Sequence, residues 1–286
     1  MKFLALLTLL VLPAAAAPVD RAWAVIDKSL QSGDSDHRQE ALAALATAGT
    51  NNPEVVRRAA AALQDKHTFV RRAAALALGE LKANSAIPEL TKALEDDSPE
   101  VSFAAAEALT QLGDANGRNL LMAVLAGERK DTPGMFTNAM RKAKDKIHHP
   151  EGLILMGTQD AAGAMFGPAA MVIPAVKNAA DMKSKGAPGR VAAVAYLGKY
   201  PDAYAIQLLE WALSDDSHFV RIEAAKQLGE RGNAASIDKL MSRLEDDHNL
   251  VRDMAAAAII RITRRDGAAG EVSAGPVVPT STASKK

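Results

Sequence analysis

Apolar positions along this chain fall in a helical rhythm that restarts at a nearly constant interval. Val70-Arg71 opens the run RRAAALALG, Val220-Arg221 opens RIEAAKQLG, Gly189-Arg190 opens RVAAVAYLG and Val251-Arg252 opens RDMAAAAII. Arg190, Arg221 and Arg252 are 31 residues apart, and so are Arg71 and Ser102, so two separate blocks keep one period. A weaker copy begins at Arg38. Eight residues after the valine position stand Leu45, Leu78, Leu109, Leu197, Leu228 and Ile259. Further on, Ile87, Leu90 and Leu94 are matched by Ile206, Leu209, Leu213 and by Ile237, Leu240, Leu244. Spacings of three, four and seven place each trio on one face of a helix. The third copy keeps Leu121 and Leu125 but has Arg118 in the first place.

Each unit therefore predicts a helix, a tight turn and a second helix. Gly79, Gly198 and Gly229 stand where a left-handed cap would end the first helix. Helices this short are marginal in isolation, so their stability must come from burying the apolar stripe against the next unit. Small residues such as Ala73, Ala74, Ala224, Ala225, Ala255 and Ala256 allow the first helices to approach closely. The pattern predicts an all-α, right-handed α-solenoid of about seven to eight helical hairpins.

The run Asp-x5-Arg-x2-Ala-Ala-x2-Leu-Gly resembles the HEAT repeat, in the short bacterial form called HEAT-like or phycobilisome-lyase-like. Asp65 and Arg71, Asp215 and Arg221, and Asp246 and Arg252 keep the six-residue offset of that pattern. The resemblance implies that these residues form a structural ladder between successive units, broken where Ser102 replaces the arginine after Asp96. As exposed pairs they would each contribute about 0–1 kcal/mol, setting register more than stability. The resemblance covers roughly residues 35–127 and 189–264.

The remaining segments read differently. Lys2, an apolar run from Phe3 to Leu12 and the alanines after Pro13 have the order of a secretory signal, with cleavage expected after Ala16. The run is shorter than the roughly 20 apolar residues a bilayer span needs. A periplasmic or secreted protein is expected. Residues 17–34 read as a lead-in helix, and 128–188 as degenerate repeats or an insertion holding six of the ten methionines. Residues 265–286, rich in Gly, Ala, Ser, Pro and Thr, read as a disordered tail.

Composition narrows the function. The 34 Lys+Arg balance 34 Asp+Glu, which speaks against a nucleic-acid partner, since phosphate neutralisation calls for a basic stripe. The chain has no cysteine, so disulfides and thiolate chemistry are excluded. No nucleophile motif, zinc motif or phosphate-cradling loop is present in the sequence. His67, His218 and His248, two or three residues before the valine position, and His37, which occupies that position in its unit, fall at the turns between units and read as surface residues. No catalytic residue, metal or cofactor is therefore expected.

Positions nineteen and twenty-two after the valine point away from the buried stripe of the second helix. They are polar in two units (Glu89 and Lys92, Lys239 and Ser242) and apolar beside the irregular middle (Leu120 and Ala123, Leu208 and Trp211). Tyr196, Tyr200 and Tyr204 belong to the same unit as Trp211. Such aromatic anchors suit a protein or peptide partner, so a non-catalytic interaction scaffold is the leading expectation. Two alternatives remain. One is an enzyme or cofactor-binding protein of the HEAT-like lyase or hydroxylase class. The other is a peripheral membrane protein using residues 152–176 with the basic stretch Arg141–Lys146.

Overall fold

A computed structural model describes residues 17–50, 52–125, 187–200 and 202–273. The expectations for the signal segment 1–16, for 128–186 with its methionines and basic stretch, and for the tail beyond Ser273 lie outside these residues. Among the described residues there are twelve α-helices and no strands. They are α1 (Pro18–Leu30), α2 (Ser35–Thr47), α3 (Pro53–Ala61), α4 (Thr68–Glu80), α5 (Ile87–Ala93), α6 (Pro99–Gln111) and α7 (Ala115–Leu125). After residue 186 follow α8 (Ala187–Leu197), α9 (Ala203–Ala212), α10 (His218–Arg231), α11 (Ile237–Met241) and α12 (Asn249–Ser273). No helix among the described residues is long and apolar enough to cross a membrane.

The helices pair into hairpins that stack as an α-solenoid. Their caps follow the sequence: Asp34, Asn52 and Asp202 each accept a backbone N–H from the first turn of the helix they precede. Pro18, Pro53 and Pro99 sit at helix starts, where a missing N–H costs nothing. The repeated leucines are the core: Leu45, Leu78, Leu109 and Leu228 are each fully buried, as are Leu90, Leu209 and Leu240 from the second helices. Burying each such side chain contributes about 1.5–3 kcal/mol, which offsets the poor intrinsic stability of short helices.

The order of the units in space is not their order in the chain. The first helices form one layer in the sequence α8, α10, α12, α2, α4, α6, so the last described helix packs directly on the second. Among the described residues no second helix follows α12, and α1 fills that place, packed on α12 and on α2. Val19, Ala22 and Ile26 of α1 repeat the spacing of Ile87, Leu90 and Leu94, and Ala22 and Ile26 are fully buried. The first and last described helices thus build one unit between them. What reads as a lead-in helix is the missing half of the last repeat.

Two further readings are corrected. Gly79 and Gly229 are not left-handed caps; both lie inside their helices. A Cβ at Gly79 would come within 3.0 Å of the Ala108 Cα, and one at Gly229 within 3.0 Å of the Ala258 Cα. These glycines let adjacent first helices touch backbone to backbone. Among the described residues the positive φ values belong to Gly49, Gly113 and Lys82, so Gly198, just after α8, is not a left-handed cap either. Residues 265–273, read as part of a disordered tail, belong to α12, which continues to Ser273, with Arg265 donating to the carbonyls of Glu230 and Gly232. Six of the seven to eight hairpins expected lie among the described residues, and the degenerate units read into 128–188 fall outside them.

Candidate functional site

The ladder runs along one edge of the stack and joins each unit to the next. Arg38 grips Asp65 with two hydrogen bonds of 2.8 and 3.0 Å, and Arg71 grips Asp96 with two of 2.8 Å. Arg190 binds Asp215 at 2.8 and 2.9 Å, and Arg221 binds Asp246 at 2.9 and 2.8 Å. Each aspartate also accepts the backbone N–H two residues ahead, from His67, Ser98, Ser217 or His248. Burial opposes ionisation of all four, yet the arginine hydrogen bonds, the backbone N–H and the arginine charge together hold each below the usual carboxylate range.

Three of the four pairs are not exposed, as the sequence suggested, but largely buried, with Arg38 5% and Arg221 9% accessible, whereas the Arg190 side chain keeps 36% of its surface. Removing one partner of such a buried pair strands the other charge, so each rung is costly to break whatever the intact pair adds. Arg252 differs from the others. It binds the Asp246 carbonyl and the Asn249 side chain but no ladder carboxylate, because Ser32 stands where the next unit would present aspartate. The seam between α12 and α2 is closed by other means. Ser29 Oγ donates to Asp253 Oδ1 at 2.6 Å, Arg261 donates to the Thr47 carbonyl at 2.9 Å, and Arg58 binds Asp27 with bonds of 2.6 and 3.0 Å. Arg58 also stacks 4.1 Å over the Trp23 ring, fixing α1 to α3.

The turn histidines are not all surface groups. His218 and His248 stack face to face at 4.1 Å, and burial, His218 and Arg221 press the His248 pKa down to about 4. Parallel stacked rings do not converge on one ion, and among the described residues no three His, Asp or Glu side chains are grouped to hold a metal.

The outward faces of the second helices were the expected contact surface. Glu89 and Lys92 of α5 and Lys239 of α11 are exposed. Leu120 is not: it is 8% accessible and belongs to the core. In α5 and α11 a 3₁₀ turn precedes the helix (Asn84–Ala86, Ala234–Ser236), whereas α7 winds as α-helix from Ala115, so its inward position falls on Leu120 instead of Leu121. Leu208 is half-buried on α9, between Tyr204 at 69% and Trp211 at 74% exposure. Offsets of four and three place the three side chains on one face of α9. Nearby in sequence, the Tyr200 and Tyr196 hydroxyls are hydrogen-bonded at 2.8 Å, with the rings edge to face at 5.4 Å. Lys199 Nζ lies 5.3 Å from the centre of the Tyr196 ring. The unit of α8 and α9 thus carries four exposed aromatic side chains. It forms one end of the described array and α6–α7 the other.

Comparison with known proteins agrees with the repeat. The sequence profile of HEAT repeats matches residues 24–109, 72–132 and 176–260. Human deoxyhypusine hydroxylase in complex with glycerol is 20% identical with a TM-score of 0.32, over 86% of this chain and 97% of that one. The complex of CpcE and CpcF of phycocyanin lyase from a Nostoc species is 21% identical with a TM-score of 0.33, over 88% and 99%. A designed armadillo repeat protein is 18% identical with a TM-score of 0.25, over 86% and 100%. No curated protein matches the sequence significantly. Likeness at this level says nothing of what the chain does. The profile, matching more than half of the sequence, places this chain in the family of HEAT-repeat proteins.

Proposed function

We propose that this chain is a non-catalytic scaffold outside the cytoplasm that binds another protein through the aromatic face of α8 and α9. One observation carries the reading: Tyr204, Leu208 and Trp211 line a single face of α9, while the equivalent places are Lys239 on α11 and Glu89 and Lys92 on α5. An exposed apolar patch on an otherwise polar surface usually marks a contact surface, and tryptophan and tyrosine supply much of the binding energy at such surfaces.

Export rests on the leader-like order of residues 1–16. The start of the fold suits cleavage there, because Ala17 is the N-cap of α1 and its carbonyl accepts from Asp20 and Arg21. A cut after Ala16 would leave the first helix whole. The mass of the mature protein isolated from cells tests this, with Ala17 expected as its first residue. Crosslinking in cells, capture and mass spectrometry of bound proteins test the scaffold, with Trp211→Ala alongside. A reproducible partner lost in the variant is the expected result; identical partners with and without Trp211 would move the site elsewhere.

A further inference from the structure

The seam between α1, α2 and α12 contains a group of acids that the ladder does not use. Asp253, in the first turns of α12, is 0% accessible, and Glu40 on α2 is 6% accessible. Asp253 Oδ1 takes the Ser29 hydroxyl of α1, but its Oδ2 and the Oε2 of Glu40 are buried with no hydrogen-bond partner among the described residues. Every ladder carboxylate, by contrast, receives an arginine fork and a backbone N–H.

The charged surroundings of the pair are mainly acidic, and Arg252 is the cation that opposes proton uptake by both carboxyls. α2 and the turn before it add Asp36 and Asp34, both of the same sign. α12 adds Arg252, whose guanidinium is occupied by the Asp246 carbonyl and Asn249. α1 contributes the neutral Ser29 hydroxyl. On the outer neighbours, Glu223 of α10 is matched by Lys226 and Gln227, and Arg71 of α4 by Asp96. Among the described residues of these elements, no arginine or lysine forms an ion pair with Asp253 or Glu40. An isolated buried carboxylate without a partner is costly, and the usual escape is to take up a proton.

The geometry points to a pH-operated latch at the seam, in which Glu40 and Asp253 hold the first helix and α2 against α12 while protonated and loosen that contact once charged. The energetics agree. Burial, then Asp36 and Asp34, raise Glu40 to about 7, and burial, with the Glu40 charge, raises Asp253 to about 7. Carboxyls raised in the folded state favour it fully below their ordinary values near 4. That support is lost as pH climbs from about 4 through about 7. A carboxyl whose pKa rises by one on folding changes the folding equilibrium about tenfold. Because α1 and α12 complete one another, the loss falls on the one unit built from both. His248, lowered by burial, titrates in the opposite sense, so the test reads the seam itself.

The test is hydrogen exchange of the full mature chain over α1 and the first turns of α12, corrected for intrinsic amide rates, between about pH 5 and 8.5. The carboxyl carbon signals of Glu40 and Asp253 are followed by NMR over the same range. The opening constant is expected to rise at least tenfold, in step with carboxyl midpoints near neutrality, and to stay level in the Glu40→Gln, Asp253→Asn double variant. If the double variant fails to fold, Ser29→Ala serves: it removes the hydroxyl that stabilises ionised Asp253, so the Asp253 midpoint moves further up. Carboxyl midpoints near 4, or equal opening at both ends of the pH range, would overturn the latch.

Discussion

Arg221 binds two aspartates that are neighbours in sequence but opposite in setting. Its Nη2 lies 2.8 Å from Asp246 Oδ1 and 2.9 Å from Asp247 Oδ1, yet the Asp246 side chain is 4% accessible and that of Asp247 90%. Asp246 also anchors the next turn through the His248 N–H. Asp246→Ala leaves Arg221 buried without its fork, and breaking a buried pair costs about 3–5 kcal/mol. Asp247→Ala removes a solvent-screened contact and is expected to cost less than about 1 kcal/mol. Urea unfolding of both variants measures the difference; equal losses would show that the ladder position has no special weight.

The same burial fixes the response to acid. Asp65, Asp96, Asp215 and Asp246 have folded-state pKa values below the ordinary range. Their support is present above about pH 4 and is lost as pH falls through those lower values. The seam carboxyls act in the other direction, losing support as pH rises from about 4 through about 7. The melting temperature is therefore expected to peak at about pH 5 and fall on both sides. A melting temperature that climbs steadily from about pH 4 to pH 8 contradicts this balance.

The seam also predicts what the first helix is for. Ile26 of α1 is fully buried, although a lead-in helix at a chain end is a place where truncation is often tolerated. Ile26→Ala is expected to cost about 2–5 kcal/mol, the usual range for a buried isoleucine. Its effect should reach α12, at the far end of the sequence. Hydrogen exchange read on α12 checks this: unchanged protection there would mean that α1 does not complete the last unit.

The elements of this fold were legible because the ladder and the leucine stripe repeat. Arg71 and Arg221, Leu78 and Leu228 keep their register from unit to unit, and periodicity needs no knowledge of distant contacts. The closure was harder to read, although Val19, Ala22 and Ile26 carry the second-helix spacing and no described helix follows α12. A linear pattern identifies a half-unit without saying where its other half lies. The second helix of the first unit escaped the pattern because its valine-equivalent, His37, lies 33 residues before Val70. That shifts its inward trio to Val56, Ala59 and Leu63. On the candidate face, Leu208 and Trp211 were found by their offsets and Tyr204 as an aromatic of the same unit, whereas Leu120 was misplaced because the 3₁₀ turn that sets the register of α5 and α11 is absent before α7.

The glycines offer a test with an unusual sign. Alanine is favoured over glycine inside a helix by about 1 kcal/mol, and Gly229 lies inside α10. A Cβ there would stand 3.0 Å from the Ala258 Cα and 3.1 Å from its Cβ, against α12. The backbone of α12 cannot swing aside as a flexible side chain would, so Gly229→Ala is expected to destabilise by about 1–3 kcal/mol through overpacking. Gly33→Ala, with nothing within 4 Å of the new carbon, is the neutral control. A more stable Gly229→Ala would show that α10 and α12 have room to separate.

Trp211 separates binding from folding more cleanly than any core position. Its side chain is 74% accessible, so Trp211→Ala removes little that the fold uses, and stability is expected to change by less than about 0.5 kcal/mol. Aromatic anchors at interfaces typically cost about 2 kcal/mol or more when truncated, so partner affinity should fall by well over tenfold. Lys239→Ala on the charged face of α11 is the comparison, where a rim position is expected to change affinity by less than about 1 kcal/mol. Affinity is measured by titration calorimetry with the captured partner, and folding by urea unfolding of the same preparations. Equal affinities for the two variants, with both folded, would remove the aromatic face of α9 as the contact and leave the charged faces of α5 and α11 as the surfaces to test.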